Sequence, residues 1–353
     1  MIPRKKTRQV TIGGVSVGGD APVRIQSMTT THTRDVEATV DQIQQLAELG
    51  CELVRVACPT EEDARALGQI KSRIKIPLIA DIHFNYRLAL IALDEGIDKL
   101  RLNPGNIGKK ERVVEVVEKA KSRAVPIRIG VNGGSLEKDL MEKYGPTAEA
   151  LVESARRHVA ILEELNFEDI IISLKASDVP TMIAAYRLAS ETFPYPLHLG
   201  VTEAGTLLRG SIYSAIGIGT LLQEGIGDTI RVSLTAESVE EIKVAKMILE
   251  ALELRRGVRV ISCPSCGRAE VDVFKLAEEI EGRAMKLKEP MTISVLGCVV
   301  NGPGEAHESD FGVTGGKEKG MIYVDGKQHR VVDEDKLVDS LFEEIKNKRP
   351  SAV

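Results

Sequence analysis

The chain has 353 residues, 43% of them hydrophobic and 28% charged, with a net charge of −5. That length suits one large domain plus a small one, and that composition is ordinary for a globular protein able to bury a core without staples. Mild acidity and only 3% aromatics with no Trp leave little for nucleic acid to grip or stack upon, and no stretch approaches the roughly 18 apolar residues of a membrane helix.

The basic start Met1-Ile2-Pro3-Arg4-Lys5-Lys6 is not followed by an apolar segment, so no secretory signal is expected. Five unevenly placed cysteines suit a reducing cytoplasm better than a disulfide framework. Val10 to Gly19 reads as a short hairpin about Gly13-Gly14. Then eight short apolar runs recur, at Val23–Gln26, Leu53–Val56, Pro77–Asp81, Lys99–Leu102, Pro126–Ile129, Ile170–Ser173, Pro196–Leu199 and Thr229–Val232. Helical spacing fills the gaps, as at Val40, Ile43, Leu46 and Ala47. Strands alternating with helices imply a parallel sheet, and eight units over this length predict a (β/α)8 TIM-type barrel. An open doubly wound sheet loses its usual support, because no Gly-x-Gly-x-x-Gly opens the first helix. The eighth helix is expected from Ser238 to about Glu253. From Val258 the pattern changes to short strands, glycine-rich turns, a hairpin over Gly320–Lys327 and Arg330–Val332, and a last helix from about Asp335 to Lys346. The expectation is a barrel over residues 1–257 and a small α+β domain over 258–353.

The small domain holds Cys263-Pro264-Ser265-Cys266 and, 32 residues on, Cys298. Three thiolates leave a tetrahedral site one ligand short, and Glu305 and His307 both follow Gly302-Pro303-Gly304. With His307 the set is Cys3His, a closed structural zinc site. With Glu305 it is three soft thiolates and one hard oxygen, which suits an iron–sulfur cluster with one loosely held iron. A thioredoxin-like CxxC is a third reading, and it leaves Cys298 without a part. Spacing alone keeps all three open and favours zinc. Cys51 and Cys58 lie among strand residues and read as inert small hydrophobes.

Barrel enzymes place chemistry at the C-terminal ends of the strands. That rule selects Arg55, Arg101, Arg128, Lys175 and Arg231, with the neutral groups Asn103, Asn132, Ser135, Ser173 and Ser177 beside them. Asp81, His83, His198 and Glu203 fall at the same rim. Charges inside apolar strands need partners. Salt bridges to Asp81, Asp178, Glu203 and Glu237 are one way to supply them; these acids look too few for five cations. A phosphorylated small molecule such as a diphosphate is the other, gripped by guanidinium forks and by the backbone of Asn132-Gly133-Gly134.

Cys263-Pro264-Ser265-Cys266-Gly267-Arg268, with Ser294 to Glu305 (Ser-Val-Leu-Gly-Cys-Val-Val-Asn-Gly-Pro-Gly-Glu), resembles the cluster segment of the 4-hydroxy-3-methylbut-2-en-1-yl diphosphate synthases. The second segment is also similar to cluster motifs of sulfite and nitrite reductases. Gln26-Ser27-Met28-Thr29, Ala80-Asp81-Ile82-His83-Phe84 and Arg101-Leu102-Asn103-Pro104-Gly105-Asn106-Ile107-Gly108 resemble the same synthases, so the likeness spans nearly the whole chain. It resembles the shorter bacterial form, which lacks the extra domain of the plant type.

The resemblance implies a [4Fe–4S] cluster held by Cys263, Cys266, Cys298 and Glu305, which demotes zinc and His307. It implies reductive opening of 2-C-methyl-D-erythritol 2,4-cyclodiphosphate, with two electrons from flavodoxin or ferredoxin. It also implies a head-to-tail homodimer, one subunit's cluster domain closing over the other's barrel. On this reading Arg55, Arg101, Arg128, Lys175 and Arg231 bind the diphosphate with Asn103, Asn132, Ser135 and His198. Glu305 exchanges for a substrate oxygen, Asn301 contacts that oxygen, and Glu203 with His83 or His198 moves protons.

Overall fold

The structure, a computed structural model, describes residues 2–298, 306–316 and 318–352. The chain divides into two compact units, Met1–Leu254 and Arg255–Val353.

The first unit opens with β1 (Val10–Ile12) and β2 (Val15–Val17), an antiparallel pair. Gly13 and Gly14 carry φ of +51° and +88°, the positive values a two-residue hairpin turn requires. Val10, Ile12 and Val17 pack against Leu53, Ile79 and Ile171. Those three stand at or next to the first residues of their strands, so the hairpin plugs the N-terminal mouth of the sheet that follows.

That sheet has eight parallel strands. They are β3 (Arg24–Met28), β4 (Leu53–Ala57), β5 (Leu78–Asp81), β6 (Lys99–Arg101), β7 (Ile127–Asn132), β8 (Ile170–Lys175), β9 (His198–Leu199) and β10 (Thr229–Ile230). The order is β8-β7-β6-β5-β4-β3-β10-β9, and a parallel bridge from Ile172 to Leu197 joins β8 to the start of β9. The sheet thus closes into the expected barrel.

Helices alternate with strands: α1 (Val36–Glu48), α2 (Glu61–Arg73), α3 (Tyr86–Asp94), α4 (Lys110–Ser122), α5 (Lys138–Tyr144), α6 (Ala148–Glu164), α7 (Val179–Thr192), α8 (Leu207–Gln223) and α9 (Ser238–Ala251). Local chemistry starts several of them. Thr60 and Asp63 form a reciprocal capping box on α2, and Asp178 accepts from the Thr181 N–H at the start of α7. On α1, Val40, Ile43 and Leu46 face the core at helical spacing. Strand residues of one parity, such as Val54, Val56, Ala80, Leu100, Ile129 and Ile172, join these helices in one apolar shell. α5 is a short extra helix that the hydrophobic rhythm did not single out.

The second unit has β11 (Val258–Ser262), α10 (Val273–Ala284), β12 (Met291–Leu296), β13 (Phe311–Gly315), β14 (Lys319–Val324), β15 (Lys327–Asp333) and α11 (Leu337–Lys348). Its strands lie in sequence order, the first two pairings parallel and the last two antiparallel. The β14–β15 hairpin turns at Asp325-Gly326, both at positive φ. Ile280, Ile293, Val295, Phe311, Val313, Ile322 and Leu341 form its core.

Candidate functional site

Alternation sends the other parity of each barrel strand inward. In an ordinary barrel those rows are branched aliphatics. Here they carry Gln26 and Met28 on β3, Arg55 on β4, Asp81 on β5, Lys99 and Arg101 on β6, Arg128 on β7, Ser173 and Lys175 on β8, and His198 on β9. Arg231 follows β10. Only below them, beside the hairpin, is the interior apolar.

Asp81 is the hub of this crowd. Its carboxylate lies 3.2 Å from Arg101 Nη1 and 3.7 Å from Arg55 Nε. Burial alone would raise its pKa, but Arg55, Arg101 and Arg128 overcome that and hold it down to about 2. Arg55 also donates to the Met28 sulfur from Nε and Nη2. Arg101 Nη2 donates to the Gly130 carbonyl at 2.8 Å. A Cβ on Gly130 would stand 2.6 Å from Arg101 Nε, so only glycine leaves room for this guanidinium. Arg231 lies 3.5 Å from Glu241 of α9, which also accepts from Ser27 Oγ and the Leu234 N–H.

The cations still outnumber their acids. Arg128 is fully buried, and none of its three guanidinium nitrogens has a hydrogen-bond partner among the described residues. Arg55 Nη1, Arg101 Nε and Arg231 Nε are likewise buried without partners there. Burial, then Arg55 and Arg101, press the Arg128 pKa down. A guanidinium does not give up its proton in a protein, so that pressure is relieved by an anion. Lys175 responds differently: burial, then Arg55, Arg128 and Arg101, bring its amine down to about 6. Lys99 is fully buried, donates to Gln26 Oε1 at 3.0 Å, and is also held well below its ordinary value, chiefly by burial.

The structure sharpens several sequence placements. Arg128 is the second residue of β7, which runs on through Gly130 to Asn132, so it lies in the barrel body rather than at the rim. His198 opens β9, is buried, and is held neutral by burial and by Arg128 and Lys99; its Nδ1 is 2.7 Å from Thr229 Oγ1. Asn103 is engaged at both ends of its amide, donating to the Gly130 carbonyl and accepting the Gly130 N–H. Asn132 ends β7 in register with Lys175 and accepts the Gly134 N–H. His83 is largely exposed, with Nε2 2.6 Å from Arg101 Nη1; burial and Arg101 lower its pKa, so it accepts as a neutral ring. Glu203 is exposed at φ +54°, and Glu237 is exposed too. Asp178 serves as a helix cap. Of the four acids expected to balance the ring, Asp81 alone pairs with it. Glu241 and Lys99 are the charged groups of the site that sequence reasoning missed. Period two on β6 would have grouped Lys99 with Arg101; Glu241 comes from a helix and has no local signal.

In the second unit, Cys263 directly follows β11, and Cys298 lies two residues past β12. These strands are parallel neighbours, and the Cys263 N–H donates to the Val295 carbonyl. The topology therefore brings both thiols to one end of the sheet. Cys266 is exposed, and Arg268 hydrogen-bonds it from backbone and side chain, lowering its pKa. Cys51 and Cys58 contrast with this: burial pushes both thiols up to about 12. Two thiols brought to one end of a sheet, with a third three residues from one of them, fit a soft metal centre. Asn301 and Glu305 lie outside the described residues, as does the side chain of Ser135.

Fold and sites together define a barrel enzyme for a phosphorylated small molecule, joined to a thiol-bearing second unit. The barrel is similar to the dihydropteroate synthases of Xanthomonas albilineans (TM-score 0.52, 14% identity, covering 70% of this chain and 99% of that one) and Stenotrophomonas maltophilia (0.52, 15%, 70% and 98%). At such identity the likeness shows the fold alone. The family described as the GcpE TIM-barrel domain matches residues 7–246, and the GcpE protein C-terminal domain matches 259–347. The 4-hydroxy-3-methylbut-2-en-1-yl diphosphate synthase (flavodoxin) of Thermodesulfovibrio yellowstonii is 57% identical over 348 residues, 98% of this chain and 100% of that protein. Those of Geobacillus thermodenitrificans (57% over 347 residues, 98% and 93%) and Geobacter sulfurreducens (56% over 344, 97% and 98%) are similar in the same way. The chain belongs to the GcpE family of 4-hydroxy-3-methylbut-2-en-1-yl diphosphate synthases, iron–sulfur oxidoreductases of isoprenoid-precursor biosynthesis.

Proposed function

We propose that the barrel interior is where 2-C-methyl-D-erythritol 2,4-cyclodiphosphate is bound and opened, with two electrons, to 4-hydroxy-3-methylbut-2-enyl diphosphate and water. The observation that carries this is Arg128, a fully buried guanidinium with no partner among the described residues, set among Arg55, Arg101 and Lys175. Leaving such a charge unpaired is costly, and a diphosphate removes the cost. Arg55, Arg101 and Arg128 grip the phosphates, with Lys175 and Arg231 nearer the rim. Asn132 and the glycines after it offer neutral donors, and Asn103 holds β7 in place. As the ring C–O bond breaks, charge builds on the diphosphate oxygens, and pre-placed cations stabilise it without reorganising. Lys175, poised near neutrality, is suited to take up a proton at that moment. His83 and Glu203 remain the rim groups proposed for proton traffic.

Cys263, Cys266 and Cys298, with Glu305, are proposed to hold a [4Fe–4S] cluster. When bound, that cluster supplies electrons one at a time, and the flavodoxin in the relatives' names is the proposed donor. No helix among the described residues is long and apolar enough to cross a membrane, in keeping with a proposed cytoplasmic setting. A homodimer is proposed as well: Leu208, Ile212 and Ile216 form a stripe on α8 that is 75%, 48% and 53% exposed, an apolar face of the kind that self-association covers.

The direct test is Arg128→Met. With the cyclic diphosphate titrated calorimetrically into cluster-loaded protein, without an electron donor, affinity should fall by on the order of 100-fold, since removing one partner of a buried charge pair costs about 2–5 kcal/mol. Unchanged affinity would place the substrate elsewhere.

A further inference from the structure

We infer that His158, on α6, is a positioning residue that holds the loop after β6, beside the one after β7, at the spacing the diphosphate needs, a role that rests on the reading above. The ring is 4% exposed. Its Nδ1 accepts the Gly105 N–H at 3.0 Å, which leaves the ring proton on Nε2. Nε2 faces Glu137 Oε1 at 3.8 Å. Gly105 belongs to the turn after β6, and Glu137 follows the Asn132–Ser135 turn after β7. One side chain from a third element thus holds the loop after β6 by a hydrogen bond and faces the segment after β7 across 3.8 Å.

The fastening reaches the cations by a short path. Gly105 sits two residues from Asn103, whose amide clasps both backbone groups of Gly130. Gly130 in turn is the seat of the Arg101 guanidinium. The contact at Gly105 is close as well: a Cβ there would stand 2.7 Å from His158 Cε1. Burial keeps the ring neutral against Glu137, with Arg101 and Arg157 opposing Glu137, and neutrality is what lets Nδ1 accept.

A packing role needs only the shape of the ring, whereas a positioning role needs an acceptor at Nδ1. Asparagine keeps an acceptor oxygen near that point; leucine fills space without one. In the same titration of cyclic diphosphate into full-length, cluster-loaded protein, His158→Leu should weaken binding about tenfold, the cost of a buried donor left unpaired, while His158→Asn stays within about threefold. The visible absorption of the cluster should not change in either. A second comparison does not depend on His158→Leu folding. Gly105→Ala should weaken binding beside histidine and cost little in His158→Asn, which lacks Cε1. Equal affinities for Leu and Asn, or an equal cost of Gly105→Ala in both backgrounds, would overturn the inference while Arg128→Met still weakens binding as expected. If Arg128→Met binds like the parent protein, the diphosphate reading fails first and takes this inference with it.

Discussion

Lys175 is an interior cation whose charge is negotiable near neutral pH. Its amine sits near 6 in the folded protein against an ordinary 10.5, because it is buried and faces Arg55, Arg128 and Arg101 with Asp81 as the opposing charge. Between those two values the unfolded chain carries a proton that the folded chain has released, so stability rises with pH across the window. A bound diphosphate reverses the balance by favouring the charged amine. Substrate binding at pH 8 should therefore take up protons, read as a dependence of the calorimetric heat on the buffer's ionisation enthalpy. Lys175→Gln should lose most of that dependence, and a heat independent of buffer in the parent protein would refute the assignment. At this scale much was legible. Four strand-borne cations, and Arg231 just past a fifth strand, could be read directly from the chain. Of their acids Asp81 could be read too; Glu241 could not, because it meets Arg231 only through the docking of α9, and Asp178 caps a helix instead.

Elements were legible in kind and less so in extent. The apolar run read from the sequence for β7 stops at Ile129. The strand instead continues to Asn132, because a glycine is what the neighbouring guanidinium requires. β9 and β10 keep only two ladder residues each, so His198 starts its strand instead of ending it. The hairpins at Gly13-Gly14 and Asp325-Gly326 were plain, since two consecutive positive φ values leave few residue choices. What α8 presents to its surroundings could be judged only once the barrel fixed its inner face. Leu208, Ile212 and Ile216 share the outer one at four-residue spacing. Ile212→Glu should lower the sedimenting mass from dimer to monomer at micromolar concentration while the circular dichroism stays unchanged. A dimer that persists would remove this face from the interface.

For the molecule as a whole, the two units have separate apolar cores, each sufficient for its own sheet. A fragment of residues 1–254 should consequently fold, bind the cyclic diphosphate and show no turnover with reduced flavodoxin. Failure of the folded fragment to bind would mean that the barrel alone does not make the site. The thiol set was visible as spacing, but spacing could not choose a metal; resemblance did, and the parallel β11–β12 pair explains how residues 35 positions apart reach one end of a sheet. The hairpin plug has a consequence for how a guest must enter. With the lower mouth closed by Val10, Ile12 and Val17, the guest of the proposed reaction enters from the opposite end, and the buried guanidiniums, Arg128 among them, draw its phosphates in head first. The carbon skeleton is left nearest the doorway. Analogues enlarged at the carbon end should keep their grip, whereas a substituent on either phosphate should bar entry altogether.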